Sequence, residues 1–209
     1  MTRIRQDGGD ATGVAGDVTE HDTLERLREA TERTYGPADV LGAFVGGGGP
    51  PPRPTAQLTE QEWDAAIRGN LTTTFLTLKC FLPGMVERGR GAIITMASTA
   101  ARLASGDRIG APTGYAVAKA GVVRLTQEVA KEVAGHGVRV NCVSPSTILT
   151  ERLQAMIPAD RRAQMTSMHP LGRLGTPEDV ACAALFLASE SSAWITGVTL
   201  DVAGGYVMT

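Results

Sequence analysis

Residues 91–143 read GAIITMASTAARLASGDRIGAPTGYAVAKAGVVRLTQEVAKEVAGHGVRVNCV. Two short apolar runs, 91–96 and 138–143, bracket a segment at 115–134 in which Val122, Leu125, Val129 and Val133 recur at helical spacing. The runs are unbroken rather than alternating, the pattern of strands covered on both faces. Gly135 or Gly137 supplies the stop that the helix needs. A buried strand, a helix and a second buried strand in this order predict a parallel sheet layered with helices.

The same alternation extends in both directions. Towards the C-terminus, residues 150–169 are polar and Met-rich and predict a helical lid, with 150–170 as the segment over a substrate. Thr176-Pro177-Glu178-Asp179 then opens a helix with a cap, a first-turn proline and acids facing the dipole, and 198–202 is a last strand. Towards the N-terminus, residues 39–45 form another buried run, followed by a Gly- and Pro-rich loop at 46–54. A long helix starts at Thr59 with Glu62 completing a capping box and Leu58 and Trp63 placed as a hydrophobic staple. Its inner face runs Ile67, Leu71, Phe75, Leu78, Leu82, and Pro83-Gly84 marks its expected end. Residues 13–18 read as a short strand leading to a helix capped by Thr19, with Asp22 as reciprocal partner and Leu24, Leu27 and Ala30 facing inward. No repeat or composition shift divides the chain, so residues 1–209 are expected to form one α/β domain.

Composition excludes several functions. With 209 residues, 43% hydrophobic and 20% charged, the chain can bury a sizeable core. A net charge of −2 without a basic stripe gives nucleic acid no electrostatic foothold. Cys80, Cys142 and Cys182 lie far apart in apolar surroundings, matching neither a metal-ligand set nor a disulfide framework. The longest uncharged apolar stretch, 180–188, is too short to span a bilayer, and the first residues lack a signal-peptide core. A soluble cytoplasmic protein is expected.

The sharpest chemical feature is Tyr115-Ala-Val-Ala-Lys119. Residues four apart on a helix share a face, so phenol and ammonium can enter one cleft, and the positive charge would draw the phenol pKa down. Tyr115 would then serve as general acid and base between an alcohol and a carbonyl; the plainer alternative is a surface tyrosine beside a solvated lysine. Ser98 follows the 91–96 strand, at the carboxyl end where parallel sheets bind ligands, and reads either as a substrate-oxygen donor or as a turn serine. Asn70, a poor choice inside a helix, reads equally as a core amide on a neighbouring carbonyl or as the holder of an ordered water.

The order Asp17-Val18-Thr19, Gly-Asn70-Leu, Ile-Thr-Met-Ala-Ser98, Tyr115-x-x-x-Lys119, Asn141-Cys-Val-Ser-Pro145, Pro170-Leu-Gly-Arg-Leu-Gly-Thr-Pro-Glu-Asp-Val180 and Ile195-Thr-Gly-Val-Thr-Leu-Asp-Val-Ala-Gly-Gly205 resembles the classical short-chain dehydrogenase/reductase family. The resemblance is collinear over nearly the whole chain and strongest to the branch of 3-oxoacyl carrier-protein reductases and sugar or steroid dehydrogenases. It implies a Rossmann-like doubly wound parallel sheet and a hydride exchange between NAD or NADP and a carbonyl or secondary alcohol. Tyr115 would pass the proton, Lys119 would lower its pKa and bind the nicotinamide ribose, Ser98 would orient the carbonyl, and Asn70 would hold a relay water. Asp17 and Val18 would contact the adenine and Gly46 would follow the fourth strand. Pro145, Ser146, Ile148 and Thr150 would meet the nicotinamide. A homodimer or homotetramer built through the helices beginning near Thr59 and Tyr115 and the C-terminal segment is also implied, with no metal.

The chain departs from the family pattern at its start. The family opens with a strand, a Gly-rich turn, a helix that receives the pyrophosphate and a second strand; here the sequence begins just before the third strand. Gly9-Asp-Ala-Thr-Gly13-Val-Ala-Gly16 and Gly46-Gly-Gly-Gly49 do not replace the turn, since neither lies between a strand and a helix. The family's Asn-Asn-Ala-Gly is Ala43-Phe-Val-Gly46, its Pro-Gly is Pro145-Ser146, and the loop between Ser98 and Tyr115 is longer than usual. Without the opening strands, residues 39–45 become an exposed sheet edge, against which residues 13–18 either repack or pair with another subunit. Two functions follow: a Ser–Tyr–Lys oxidoreductase, or a cofactor-free scaffold of the same family.

Overall fold

A computed structural model of the protein describes residues 2–49, 51–104 and 111–208. Part of the lengthened loop between Ser98 and Tyr115 therefore lies outside the described residues, as does Pro50 of the proline run. Four parallel strands form one sheet in sequential order: β1 (Val40–Ala43), β2 (Gly91–Met96), β3 (Val138–Pro145) and β4 (Thr199–Val202). Helices α1 (Thr2–Gln6) and α2 (His21–Tyr35) precede β1. Between β1 and β2 run α3 (Glu60–Ile67), a π-helical turn (Arg68–Thr72) and α4 (Thr73–Arg88). Helix α5 (Thr113–Val133) crosses from β2 to β3, and α6 (Glu151–Met156), α7 (Ala159–Ser167) and α8 (Pro177–Ala188) from β3 to β4.

Strand alternation sends successive side chains to opposite faces, and the core follows this rule. Ile93 joins Leu24, Leu41, Leu78, Phe81, Val129 and Val140 in the cluster roofed by α2, α4 and α5. Its neighbour Ile94 joins Val143 and Leu187 on the other face, with α8 residues Val180 and Ala184 packed against them. The sheet is thus doubly wound, and among the described residues no helix is long and apolar enough to cross a membrane.

Capping explains where helices begin. Thr59 and Glu62 form the expected reciprocal box on α3, and Thr176 with Asp179 forms another on α8 behind Pro177. Residues 150–169 are helical as expected, in the two short pieces α6 and α7.

Five expectations are corrected, the first being Phe75, expected on the inner face of the long helix but 48% exposed. Residues 13–18 are not a strand: they have no ladder partner, and the segment after Gly9 runs through turns into α2 rather than into the sheet. Helix α2 starts at His21 behind Glu20, without a side-chain cap; the Asp17 carboxylate takes the Thr19 N–H (2.8 Å) in an Asx turn, which spends the donor and residue meant for the cap. Helix α4 passes through Pro83 and ends at Gly89, which has the left-handed φ of 68°. Pro83 faces solvent while Phe81 and Met85 are buried, so core packing carries the helix past a gap on its wet side. The cysteines are not uniformly in apolar surroundings: Cys142 is buried, but Cys182 is exposed and the Cys80 thiol donates to the Glu25 carboxylate at 3.3 Å.

Candidate active site

The site stands at the carboxyl ends of β1, β2 and β3. Strand β2 ends at Met96, Ala97 continues by an N–H bond to the Val143 carbonyl (2.9 Å), and Ser98 begins a short 3₁₀ turn. Helix α5 brings Tyr115 in its first turn and Lys119 one turn later on the same face. Ser98 and Tyr115 both line two adjoining cavities of 440 and 690 Å³, and the Ser98 side chain lies close enough to the phenol to act on its pKa. The Lys119 side chain is not a solvated neighbour: the residue is 3% exposed, its Nζ donates to the Met96 carbonyl at 2.8 Å, and it lies 5.6 Å from the Tyr115 ring centre.

Electrostatics differ from the simple expectation. Burial raises the Tyr115 phenol above its ordinary pKa, against a smaller lowering by the nearby Ser98 side chain. Burial pushes the Lys119 ammonium down to about 8. The ammonium points at a carbonyl rather than at the phenol oxygen, so desolvation outweighs the charge attraction that spacing alone suggests.

Asn70 sits in the π-helical turn and is 2% exposed. Its side chain is a two-way latch on the loop after β1: Oδ1 accepts from Gly47 N–H (3.1 Å), and Nδ2 donates to the Gly47 carbonyl (3.2 Å) and to the Ala66 carbonyl (2.9 Å). Of the two readings of Asn70, these bonds describe the core amide. A π turn widens the helix, and such turns concentrate where a side chain must be re-aimed at a site. Gly46 lies between latch and lysine; a Cβ there would come 2.6 Å from Asn70 Oδ1 and 2.9 Å from Lys119 Nζ.

Gly46, Pro145, Ser146, Ile148 and Thr150 all wall the 440 Å³ cavity with Ser98, Tyr115 and Lys119. Asp17 and Val18 wall neither cavity: Asp17 is exposed in its Asx turn, and Val18 packs against the core under α2. Met165 and Met168 line the 690 Å³ cavity, whereas Met156 points into solvent. Sequence reasoning missed His169 and Tyr206 on the same wall; they stack at 5.1 Å, with His169 buried and bonded to Ser146. A histidine just before the quoted Pro170-Leu-Gly-Arg motif, next to Met168, was the available signal.

A doubly wound parallel sheet carrying a serine, tyrosine and lysine at the carboxyl ends of its strands defines a Rossmann-like dehydrogenase architecture. A family model described as enoyl-(acyl carrier protein) reductase matches residues 1–207. The chain is 38% identical over 208 residues to the inactive 2-(S)-hydroxypropyl-CoM dehydrogenase 2 of Xanthobacter autotrophicus, a match covering 95% of this chain and 86% of that protein. It is 35% identical over 201 residues to the 3-oxoacyl-[acyl-carrier-protein] reductase FabG of Vibrio cholerae, covering 96% and 80%. Among solved structures, a 3-oxoacyl-[acyl-carrier protein] reductase from Brucella melitensis with bound NAD aligns with a TM-score of 0.87 at 31% identity, over 99% of this chain and 76% of that one. ElxO with NADP bound aligns at 0.83 and 30% identity, over 91% and 76%. The chain belongs to the short-chain dehydrogenase/reductase family of oxidoreductases, in its 3-oxoacyl carrier-protein reductase-like branch.

Proposed function

We propose that this chain exchanges a hydride between NAD or NADP and a small carbonyl or secondary alcohol, with Ser98, Tyr115 and Lys119 as its catalytic set. The observation that carries the reading is the meeting of Ser98 and Tyr115 at the junction of two cavities, with a buried lysine one helical turn behind the phenol. The residues fit the nicotinamide end of the cofactor: Gly46, lacking a Cβ, lets the backbone at the cavity wall come close to the Lys119 ammonium, and Pro145, Ser146, Ile148 and Thr150 also line that cavity. They do not fit its pyrophosphate in the usual way, because no strand among the described residues leads through a glycine-rich turn into a helix. Bound NAD or NADP supplies or accepts the hydride.

The chain's own residues handle the proton. In the reducing direction the Tyr115 hydroxyl gives its proton to the substrate oxygen as negative charge develops there, while the Ser98 hydroxyl donates a second hydrogen bond to that oxygen. Lys119 keeps positive charge beneath the phenol, and the Asn70–Gly47 latch fixes the Gly46 turn against which the lysine packs. Because burial raises the phenol, it stays protonated through neutral pH, the form that reduction requires. Carbonyl reduction should therefore hold steady across neutral pH and fall only in the alkaline range, while alcohol oxidation climbs as pH rises.

Titration of NADH and NADPH by fluorescence, followed by turnover assays, tests the proposal. Saturable binding, with turnover reduced by about 10²–10⁴ in Tyr115→Phe, is expected. The competing reading is a cofactor-free scaffold, favoured by the lack of a pyrophosphate turn among the described residues and by a relative that is named inactive. Absence of binding at millimolar cofactor would establish that reading instead. We further propose a cytoplasmic homodimer or homotetramer formed through α4, α5 and the C-terminal segment, where Phe75, Val117, Leu185 and Trp194 are exposed apolar residues. Light scattering coupled to gel filtration should return a multiple of 21.9 kDa.

A further inference from the structure

Besides Thr99, Thr147 and Tyr206, the 690 Å³ cavity is lined by two groupings of polar side chains, Ser98 with Tyr115 and Ser146 with His169. His169 is 4% exposed, stacks on Tyr206, and is tied at both ring nitrogens: Nδ1 is 2.8 Å from the Met165 carbonyl and Nε2 is 2.9 Å from Ser146 Oγ. A carbonyl only accepts, so Nδ1 carries the proton, and in the neutral ring Nε2 is bare and accepts the Ser146 O–H. Ser146 has then spent its proton, and its oxygen faces outward as an acceptor. His169 walls the 690 Å³ cavity and not the 440 Å³ one, so the bond turns the hydroxyl towards the larger space.

We propose that Ser146 and His169 form a second binding station that accepts a hydrogen bond from a hydroxyl on the substrate, beside its reacting carbonyl or alcohol. This rests on reading Ser98–Tyr115 as the reacting station. The described walls of this cavity include no carboxylate, lysine or arginine; Leu103, Leu153, Met165 and Met168 make them largely apolar. Against these walls a charged group finds no counter-ion among the described residues, whereas a neutral hydroxyl needs none. The substrate class is therefore an uncharged hydroxyketone or the corresponding diol.

The test compares 1-hydroxy-2-butanone with 2-butanone in the intact protein. The hydroxyketone should be preferred about tenfold in kcat/KM, the usual weight of one well-made hydrogen bond. In Ser146→Ala that preference should collapse to about twofold or less, chiefly through the KM of the hydroxyketone. A preference that survives Ser146→Ala, or a stronger preference for a 2-oxo acid, overturns the proposal. So does weaker NADH binding in Ser146→Ala with the preference intact, since the hydroxyl would then serve the cofactor. A second readout needs no turnover. In ¹⁵N-histidine spectra the signal lost in His169→Gln should report a proton on Nδ1, and it should shift on adding 2,3-butanediol but not 2-butanone. A proton on Nε2, or no response to the diol, overturns the station even if the enzyme is inactive. If neither ketone is reduced while the diol still moves His169, the reacting-station reading fails and the binding station stands.

Discussion

Burying an ammonium with a single carbonyl as partner is unfavourable below its own pKa, and Lys119 is held in that position, 3% exposed with Nζ on the Met96 carbonyl. Its folded pKa of about 8 lies below the ordinary value of 10.5, so below pH 8 both states are protonated and the penalty on the fold is complete. Between about 8 and 10.5 the unfolded chain binds the extra proton, and stability rises with pH as the penalty is released. Other groups titrate in the same range with the opposite sign: burial raises the Tyr115 and Cys142 acids, which favours unfolding at alkaline pH. A comparison with Lys119→Met isolates the lysine. Urea midpoints should place the variant highest relative to wild type near pH 7, with the gap narrowing as pH rises towards 10; a constant gap would mean that Lys119 is not the titrating group. Gly46 makes a steric prediction beside it. A methyl group in Gly46→Ala meets Asn70 Oδ1 and Lys119 Nζ, so it must push the latch or the lysine aside. The expected loss is about 1–3 kcal/mol in denaturant unfolding, with weaker cofactor binding, whereas the same change at Gly48, where a Cβ meets nothing within 4 Å, should be near neutral.

Helix starts are decided by local chemistry, and α8 shows how much rests on one hydroxyl. Thr176 Oγ1 accepts from the Asp179 N–H at 3.3 Å, while Asp179 answers to the Thr176 N–H at 2.7 Å and to the Arg173 guanidinium, which holds its carboxylate well below the usual range. Removing the hydroxyl in Thr176→Ala should lower stability by about 1 kcal/mol by denaturant titration, with Thr176→Ser restoring most of it. Features of this local kind were legible in the sequence. The Thr59–Glu62 box, the Thr176 start, the inward face of α5 and the four strands from residue 39 onwards depend on spacings within one turn or one run. Features set by partners distant in the chain were not. Residues 13–18 have strand-like composition but no neighbour to pair with; α4 ignores Pro83 because Phe81 and Met85 are anchored in the core; the π turn at Asn70 answers to Gly47, which is 23 residues away. The site divides in the same way. Ser98, Tyr115 and Lys119 could be placed together from a strand end and an i,i+4 pair, whereas the Ser146–His169 contact spans a loop and two helices and left only a histidine beside a motif.

Both edges of the sheet are open among the described residues. Beyond β4 no further strand pairs among the described residues, and β1 lies at the opposite edge, bonded to β2 alone. Bonds in a parallel ladder alternate along the strand, and the Ala92 N–H to Asp39 carbonyl bond (3.0 Å) fixes which residues face inward, so Val40 and Gly42 turn their backbone groups outward. The side chains follow the same division: Leu41 and Ala43 are buried under α2 and α4, while Val40 is 53% exposed and Phe44 and Val45 extend the apolar strip. Unpaired polar backbone beside exposed apolar side chains is the combination that recruits another chain. The N-terminal segment does not occupy this edge with a ladder. It bonds within itself, Gly9 N–H to the Ile4 carbonyl at 2.9 Å. The edge and the exposed apolar residues of α4 and α5 thus predict two separable kinds of association. Contact through the helix faces should produce a closed oligomer of fixed mass, which Phe75→Lys or Val117→Lys would split. Contact through β1 should produce species whose mass grows with protein concentration. Val40→Lys places a charge on the edge without touching the Leu41 and Ala43 face, so it should change stability by no more than about 0.5 kcal/mol while removing the concentration-dependent growth in light scattering and leaving the closed oligomer intact. Growth that continues unchanged in Val40→Lys would show that chains add through some surface other than β1.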